Sequence, residues 1–312
     1  MTQQDLSMPA VARSTVERKK QGELAVWHIR TPHGEARVAE QGAQLLSYVP
    51  HDQPALVWLS PEAAYRHGEA PRGGVPVCFP WFGDLSANPP EVRAGFDIAA
   101  EAHVPKHGWV RSMDWSHADT HADPDGVTLV FRCVLTPGYG GWRHGAQLTL
   151  RMRFAATVTL ELGVRNDSDA TMTVSQALHT YFAVSDVRAV QVDGLAGARY
   201  IDTLDSWRSK TQAGALSFSG ETDRLYLDLP DTLHIVDPGW GRRIRVQSSH
   251  SRSAVLWNPW IDKARRLSQF PDAGWTDMLC IETARVWDDL LQVEPGDTVY
   301  MAVHLSTESI PG

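Results

Sequence analysis

His179 and Glu282 are the residues of this sequence best suited to moving protons. His179 lies in SQALHTYF (175–182), where an extended strand would turn Leu178 and Phe182 toward a core and Ala177, His179 and Tyr181 the other way. A histidine beside a tyrosine on the polar face of a sheet suits the floor of a binding cleft. A structural histidine hydrogen-bonded at a sheet surface is the plain alternative. Glu282 sits within the apolar run MLCIETARVW (278–287). A carboxylate there costs several kcal/mol unless it is paired or functional, and a bridge to Arg285 would account for it as well as chemistry would.

Other residues offer binding rather than proton transfer. Arg72 opens RGGVPVCFPWFG (72–83), whose two glycines let the backbone turn sharply or approach a ligand closely. PKHGWVR (105–111) places Lys106, His107 and Arg111 within one short segment, a cationic spot in an acidic chain. Arginine forks suit phosphate oxygens, so an anionic ligand fits here, as does a solvated loop of mixed charge. Asp202, in RYIDTL (199–204), ends a short apolar run and reads by itself as a turn residue. The 13 histidines form no HExxH or HxH pattern, which gives a metal site little support. No GxGxxG, GxxxxGK[ST] or GxSxG is present, so nucleotide-binding and α/β-hydrolase readings have no anchor.

The elements that must position these residues alternate with period two. Leu148, Leu150, Met152 and Phe154 share one side of a predicted strand; Val158, Leu160, Leu162 and Val164 follow after a turn. Val127, Leu129, Phe131, Cys133 and Leu135, and later Val299, Met301, Val303 and Leu305, repeat the pattern. Such alternation predicts half-buried antiparallel strands, and turn clusters such as Asp123-Pro124-Asp125-Gly126 separate them. The expected fold is all-β, a large antiparallel β-sandwich with few short helices. Two stretches, roughly 60–113 and 205–222, do not alternate and are expected to be loops packed on the sandwich. Residues 1–15 are expected to be a disordered extension and 16–310 one domain.

Composition bounds the partners. A chain of 312 residues with 43% hydrophobic and 21% charged residues is long enough for a substantial core. Its net charge of −8 argues against nucleic acid or a membrane surface as partner. Cys78, Cys133 and Cys280 are widely spaced and odd in number, which fits buried thiols in a reducing compartment rather than a disulfide framework. The polar N-terminal segment has no apolar stretch behind its charges, and no run reaches membrane-spanning length. A cytoplasmic location is expected.

Taken in order, RGGVPVCFPWFG (72–83), HGWVR (107–111), ALHTYF (177–182), RYIDTL (199–204), TDRLYLDL (222–229), WNPW (257–260) and CIETA (280–284) resemble the hexose-6-phosphate mutarotase family, within the aldose-1-epimerase-like superfamily. The resemblance spans roughly residues 25–305. It implies a galactose-mutarotase-like sandwich that interconverts α and β anomers of a hexose 6-phosphate, with glucose 6-phosphate the leading substrate. It also implies His179 and Glu282 as the catalytic pair and Arg72, Lys106 and Arg111 as residues that hold the substrate. Asp202 is implied to touch the sugar and His107 to line the site. Lys106, and Trp109-Val110 in place of a smaller pair, depart from the family pattern. No cofactor is implied; the expected partner is a small sugar phosphate and the expected state a monomer.

Three other functions compete with this one. A non-catalytic carbohydrate-binding sandwich would use the 12 tryptophans for stacking and has no need of the His/Glu pair. A glycosidase would want two carboxylates, Glu282 and Asp202, and has no need of His179. A free-aldose 1-epimerase would keep the pair without the phosphate. For the mutarotase, a neighbouring carboxylate and a phosphate dianion are expected to favour the imidazolium and raise the pKa of His179.

Overall fold

The computed structural model describes residues 14–97 and 104–310. The predicted N-terminal extension therefore lies outside the described residues up to residue 13, and Thr15 already opens the strand Thr15–Gln21. That strand begins a four-stranded meander with Leu24–Thr31, Gly34–Ala39 and Gln44–Pro50.

Two larger sheets follow, and every strand pairing in them is antiparallel. One has nine strands and contains the alternating runs read from the sequence, including Gly126–Leu135, Ala146–Phe154, Val158–Asn166 and Thr298–Ser309. Their apolar positions behave as predicted: Leu148, Leu150, Met152 and Phe154 are all fully buried. The other sheet has eight strands. Its path runs from the edge strand Arg208–Thr211 through Arg199–Asp202, Thr222–Leu227, Ser253–Asn258, Met278–Arg285 and Gln176–Leu178 to Val77–Cys78. Tyr181–Ala183 also pairs with Met278–Arg285.

The eight-stranded sheet has a different environment on each face. Tyr226, Leu256, Leu279 and Ile281 join Leu148, Leu150 and Met152 in the main core. Ile201, Leu225, Val255 and Ala284 form a smaller apolar cluster with Cys78 and Ala177. These residues occupy alternate positions on their strands, so the pleat sends them to the opposite face.

The stretches expected to be loops contain short elements. Residues 60–113 include Val77–Cys78 and the helix Pro90–Arg93, and 205–222 includes Arg208–Thr211 and Leu216–Ser217. Pro90–Arg93 and Trp260–Ala264 are the α-helices among the described residues, and none there is long and apolar enough to cross a membrane. Strands of two to four residues leave too little alternation to be legible in sequence.

Candidate active site

His179 occupies a gap in a β-ladder. Gln176–Leu178 and Tyr181–Ala183 pair with the same strand, Met278–Arg285, in the registers Leu178↔Thr283 and Tyr181↔Cys280. These registers are continuous, so they set His179 opposite Glu282. Within the gap the His179 N–H donates to the Pro76 carbonyl at 3.0 Å and the Thr180 N–H to the Leu178 carbonyl at 2.9 Å. Side chains at directly opposed positions stand about 4.5–5.5 Å apart at Cβ, close enough for a long pair to meet. Here Nε2 of His179 lies 3.4 Å from Oε2 of Glu282.

Both side chains are buried, His179 at 7% exposure and Glu282 at 1%. Even so, Nδ1 of His179 and Oε2 of Glu282 have no hydrogen-bond partner among the described residues. Buried polar atoms are nearly always satisfied, and each exception calls for a reason. The imidazole is held in place by aromatic contacts. It stacks on Tyr181 with centroids 4.8 Å apart, and the rings of His107 and Trp257 meet it edge-on at 5.3 and 6.3 Å.

The pair lies in a cavity of about 680 Å³, lined also by Arg72, Lys106, His107 and Arg111. Chain segments distant in sequence supply these groups. Nε of Arg72 donates to the Ser268 carbonyl at 3.3 Å, and Nη2 of Arg111 donates to the Lys106 carbonyl at 2.8 Å. Among the described residues no carboxylate pairs with Arg72, Lys106 or Arg111. Three cations therefore face the cavity without counterions from the protein.

The segment 105–111 is docked tightly on 79–83. The His107 N–H donates to the Gly83 carbonyl at 2.7 Å, and the Trp109 N–H to the Phe79 carbonyl at 3.1 Å. Nδ1 of His107 accepts from the Gly83 N–H at 3.2 Å, which leaves Nε2 as its protonated nitrogen. Gly108 adopts φ +70, and a Cβ there would lie 1.9 Å from the Phe79 carbonyl oxygen. Only glycine fits at that position.

Asp202 is a correction to the sequence reading, since it does not line the cavity. Its Oδ2 pairs with Lys210 Nζ at 2.7 Å, and its Oδ1 accepts from the Leu204 N–H at 3.1 Å. The pleat explains the error. One cross-strand row on the cavity face runs Ile201, Leu225, Val255, Glu282, and Asp202 falls in the neighbouring row with Arg224, Leu256 and Ile281. The acid that does line the cavity is Asp223, in the row Asp223, Trp257, Cys280, Tyr181. It stands 3.8 Å from Lys263, which also binds Glu221 at 2.9 Å. Asp223 was visible in TDRLYLDL, but the sequence did not reveal its partner strands. Trp207 and Trp287 also line the cavity, and neither carried a sequence signal.

Burial sets the electrostatics of the pair. It lowers the pKa of His179 to about 3, with Arg111 and Arg72 adding to the shift. It raises Glu282 well above the ordinary carboxylate value, helped by Asp223. Desolvation disfavours either charge, so burial favours a neutral imidazole facing a protonated carboxyl. Without a bound phosphate the shift runs opposite to the rise expected for the phosphate complex, because a carboxyl that keeps its proton contributes no charge to stabilise an imidazolium. Cys280 lies near both, with one ligand atom from each of the three within 4.8 Å of the others. Burial raises its thiol pKa too. Metal ligands must give up their protons, so this set is poorly suited to an ion.

Comparison with known proteins agrees with this arrangement. The family model described as aldose 1-epimerase matches residues 25–306. The chain is 34% identical over 271 residues to a protein of Escherichia coli K12 provisionally named glucose-6-phosphate 1-epimerase, covering 86% of each chain. It is 32% identical to a protein of Salmonella typhimurium LT2 with the same provisional name, covering 89% of each. A Salmonella typhimurium crystal structure, provisionally titled a mutarotase, superimposes with a TM-score of 0.83 at 29% identity over 94% of both chains. An antiparallel sandwich with a buried His/Glu pair in a cationic cavity, matched along nearly its whole length, belongs to the aldose 1-epimerase family.

Proposed function

We infer that the chain interconverts the α and β anomers of a hexose 6-phosphate, glucose 6-phosphate first among them, with His179 and Glu282 as the acid–base pair. The observation that carries this reading is the directly opposed His179–Glu282 pair, buried and unsatisfied, inside a cavity with three unpaired cations.

Mutarotation needs one proton removed and one supplied. A base takes the proton of the C1 hydroxyl, the O–H electrons form the C1 carbonyl, and the C1–O5 bond breaks. Its electron pair goes to O5, which takes a proton from the acid. Rotation about C1–C2 then presents the other face of the carbonyl, and ring closure runs the steps backwards with the two roles exchanged. A pair holding one proton between two sites suffices, and positioned acid–base groups contribute about 10²–10⁴-fold.

In the free protein that proton is on Glu282. Arg72 and Arg111 help to keep the imidazole neutral. A phosphate dianion on these arginines offsets their charge and lets His179 take the proton, leaving Glu282 as the base. Substrate recognition and catalytic readiness are thereby linked. Arg72, Arg111 and Lys106 hold the phosphate by charge-assisted hydrogen bonds. His107 offers Nε2–H to a sugar oxygen, and Asp223 takes the hydroxyl-orienting role expected of Asp202.

The test is anomer exchange followed by NMR, with glucose 6-phosphate and glucose compared at equal concentration. Faster exchange of the phosphate ester supports the reading. Equal rates would remove the phosphate and leave a free-aldose epimerase.

A further inference from the structure

His179 carries a cost that a phosphate on the arginines does not remove. Burial is the largest cause of its low pKa, ahead of Arg111 and Arg72. Offsetting the two arginines leaves that desolvation standing, yet the reaction calls for an imidazolium. Of the groups around the ring, Glu282 lies 3.4 Å from Nε2, and it favours the imidazolium once it has given up its proton. The Cys280 sulfur lies within 4.8 Å of both. Burial raises the Cys280 thiol pKa and lowers that of His107 well below the ordinary imidazole value, so neither brings a charge. Tyr181 remains, and burial raises its pKa as well, which keeps the phenol neutral.

Tyr181 meets the imidazole differently from its other aromatic neighbours. Its ring is 10° from parallel with the centroids 4.8 Å apart, whereas His107 and Trp257 stand at 68° and 79°. The imidazole therefore rests on the π face of the tyrosine. A cation within about 6 Å of such a centroid is drawn to the negative charge of the face, more strongly when water is excluded. A neutral imidazole has no charge to be drawn. The contact thus distinguishes the two protonation states of His179.

The tyrosine is held where it is. Its side chain is buried, and Trp58 also stacks on it, at 6.0 Å and 20°, with Phe270 packed on Trp58 at 5.2 Å. Three backbone hydrogen bonds close a ring around it. The Tyr181 N–H donates to the Gly74 carbonyl at 2.9 Å, the Gly74 N–H to the Trp58 carbonyl at 2.7 Å, and the Trp58 N–H to the Tyr181 carbonyl at 2.9 Å.

We propose that Tyr181 is the positioning residue that makes His179 competent as an acid, its ring face holding the imidazole beside Glu282 and favouring the protonated form. This rests on the reading of His179 as the group that protonates O5. Size-matched replacements test it: Tyr181→Phe, then fluorophenylalanine and trifluorophenylalanine at the same position, whose fluorines drain charge from the ring face step by step. Anomer exchange of glucose 6-phosphate is followed by NMR from about pH 5 to 9 in each, with circular dichroism as the check on folding.

The sign follows from the chemistry. A weaker face favours the imidazolium less, so its pKa in the substrate complex falls and the alkaline limb of kcat moves to lower pH. Tyr181→Phe should keep the wild-type limb. Trifluorophenylalanine should lower it by about half a pH unit or more, a loss of about threefold on that limb, with fluorophenylalanine between. KM should stay within about twofold, since the face touches the imidazole and not the phosphate. A limb that stays in place across the fluorinated series would overturn the role of Tyr181 and leave the acid–base pair standing. An equal loss at every pH would do the same and mark a packing residue, and a limb already displaced in Tyr181→Phe would credit the hydroxyl instead of the face. A wild type with no alkaline limb would remove the imidazolium from the reaction, and the role of Tyr181 with it.

Discussion

Two buried ionisable pairs in this molecule are built to opposite ends. Arg242 and Asp237, with side chains 4% and 0% exposed, are 4.0 Å apart and tied to several backbone groups. Arg242 donates to the carbonyls of Pro54, Ala55 and Ala183, and Asp237 accepts from the backbone N–H and the hydroxyl of Ser185. His179 and Glu282 are as deeply buried, and each keeps an atom with no partner, as Arg242 does at Nε; but His179 and Glu282 line the cavity, and Arg242 and Asp237 do not. The first pair ties the Arg242–Ser249 strand to the loops around 54 and 183. The second leaves its bonding capacity for something that is not protein. Burial alone does not distinguish a structural pair from a reactive one, and neither does one unsatisfied atom; what sets the second pair apart is that its free atoms belong to side chains lining the cavity.

The largest expected effect tests that contrast directly. Glu282→Gln and His179→Asn should each lower kcat by about 10²-fold or more with the fold retained. NMR exchange and circular dichroism check both points, and near-wild-type turnover in a folded variant would end the assignment. The converse change belongs to the other pair. Asp237→Asn should cost about 3–5 kcal/mol in urea unfolding, because it breaks a buried pair and leaves a charged arginine behind. Its kcat should stay within a few-fold of wild type. A catalytic loss as large as that of Glu282→Gln would erase the distinction.

Much of the second pair was legible beforehand. A glutamate in an apolar run and a histidine in an alternating segment are visible in sequence, as are the cations at 72, 106 and 111. The register that opposes His179 to Glu282 was not, since it depends on two strands more than ninety residues apart pairing around a gap. The same limitation misassigned Asp202. Its neighbour Ile201 shares a row with Leu225 and Val255 on the cavity side of the sheet, and one step along a strand reverses the side chain. The nine-stranded sheet was easier to read because its strands are long enough to show their period.

A smaller effect sharpens the comparison at the phosphate. Arg72→Ala should weaken kcat/KM for glucose 6-phosphate by about 1.5–3 kcal/mol, the worth of hydrogen bonds to a charged group. It should leave glucose nearly unchanged. Equal losses for the two sugars would assign Arg72 to the fold.

The smallest effect concerns stability. The Glu282 pKa is raised in the folded state. The stability associated with its neutral form is thus fully present below about 4.5 and is lost as pH rises through the raised value. Glu282→Gln should therefore gain on wild type as pH increases, by about 1–2 kcal/mol in urea unfolding at pH 8–9. His179 has the opposite sign. Its pKa falls to about 3, so its contribution is present above about 6.5 and is lost as pH drops toward that lower value. His179→Asn should gain on wild type only on the acid side. Parallel stability curves for wild type and both variants would show that the pair is not held neutral.

The contact between Gly108 and the Phe79 carbonyl determines which parts of this pocket can be redesigned. The Gly108 backbone lies against that oxygen with no room for a methyl group, so main-chain contact fixes the middle of 105–111, and the Arg111 guanidinium on the Lys106 carbonyl braces its ends. Position 106 can then be exchanged in a mutant library without relocating the loop, whereas varying 111 removes a brace and any library that varies position 108 will consist largely of misplaced loops. New anion specificities in this scaffold are best sought at position 106, leaving His107, Gly108 and the Arg111 brace alone.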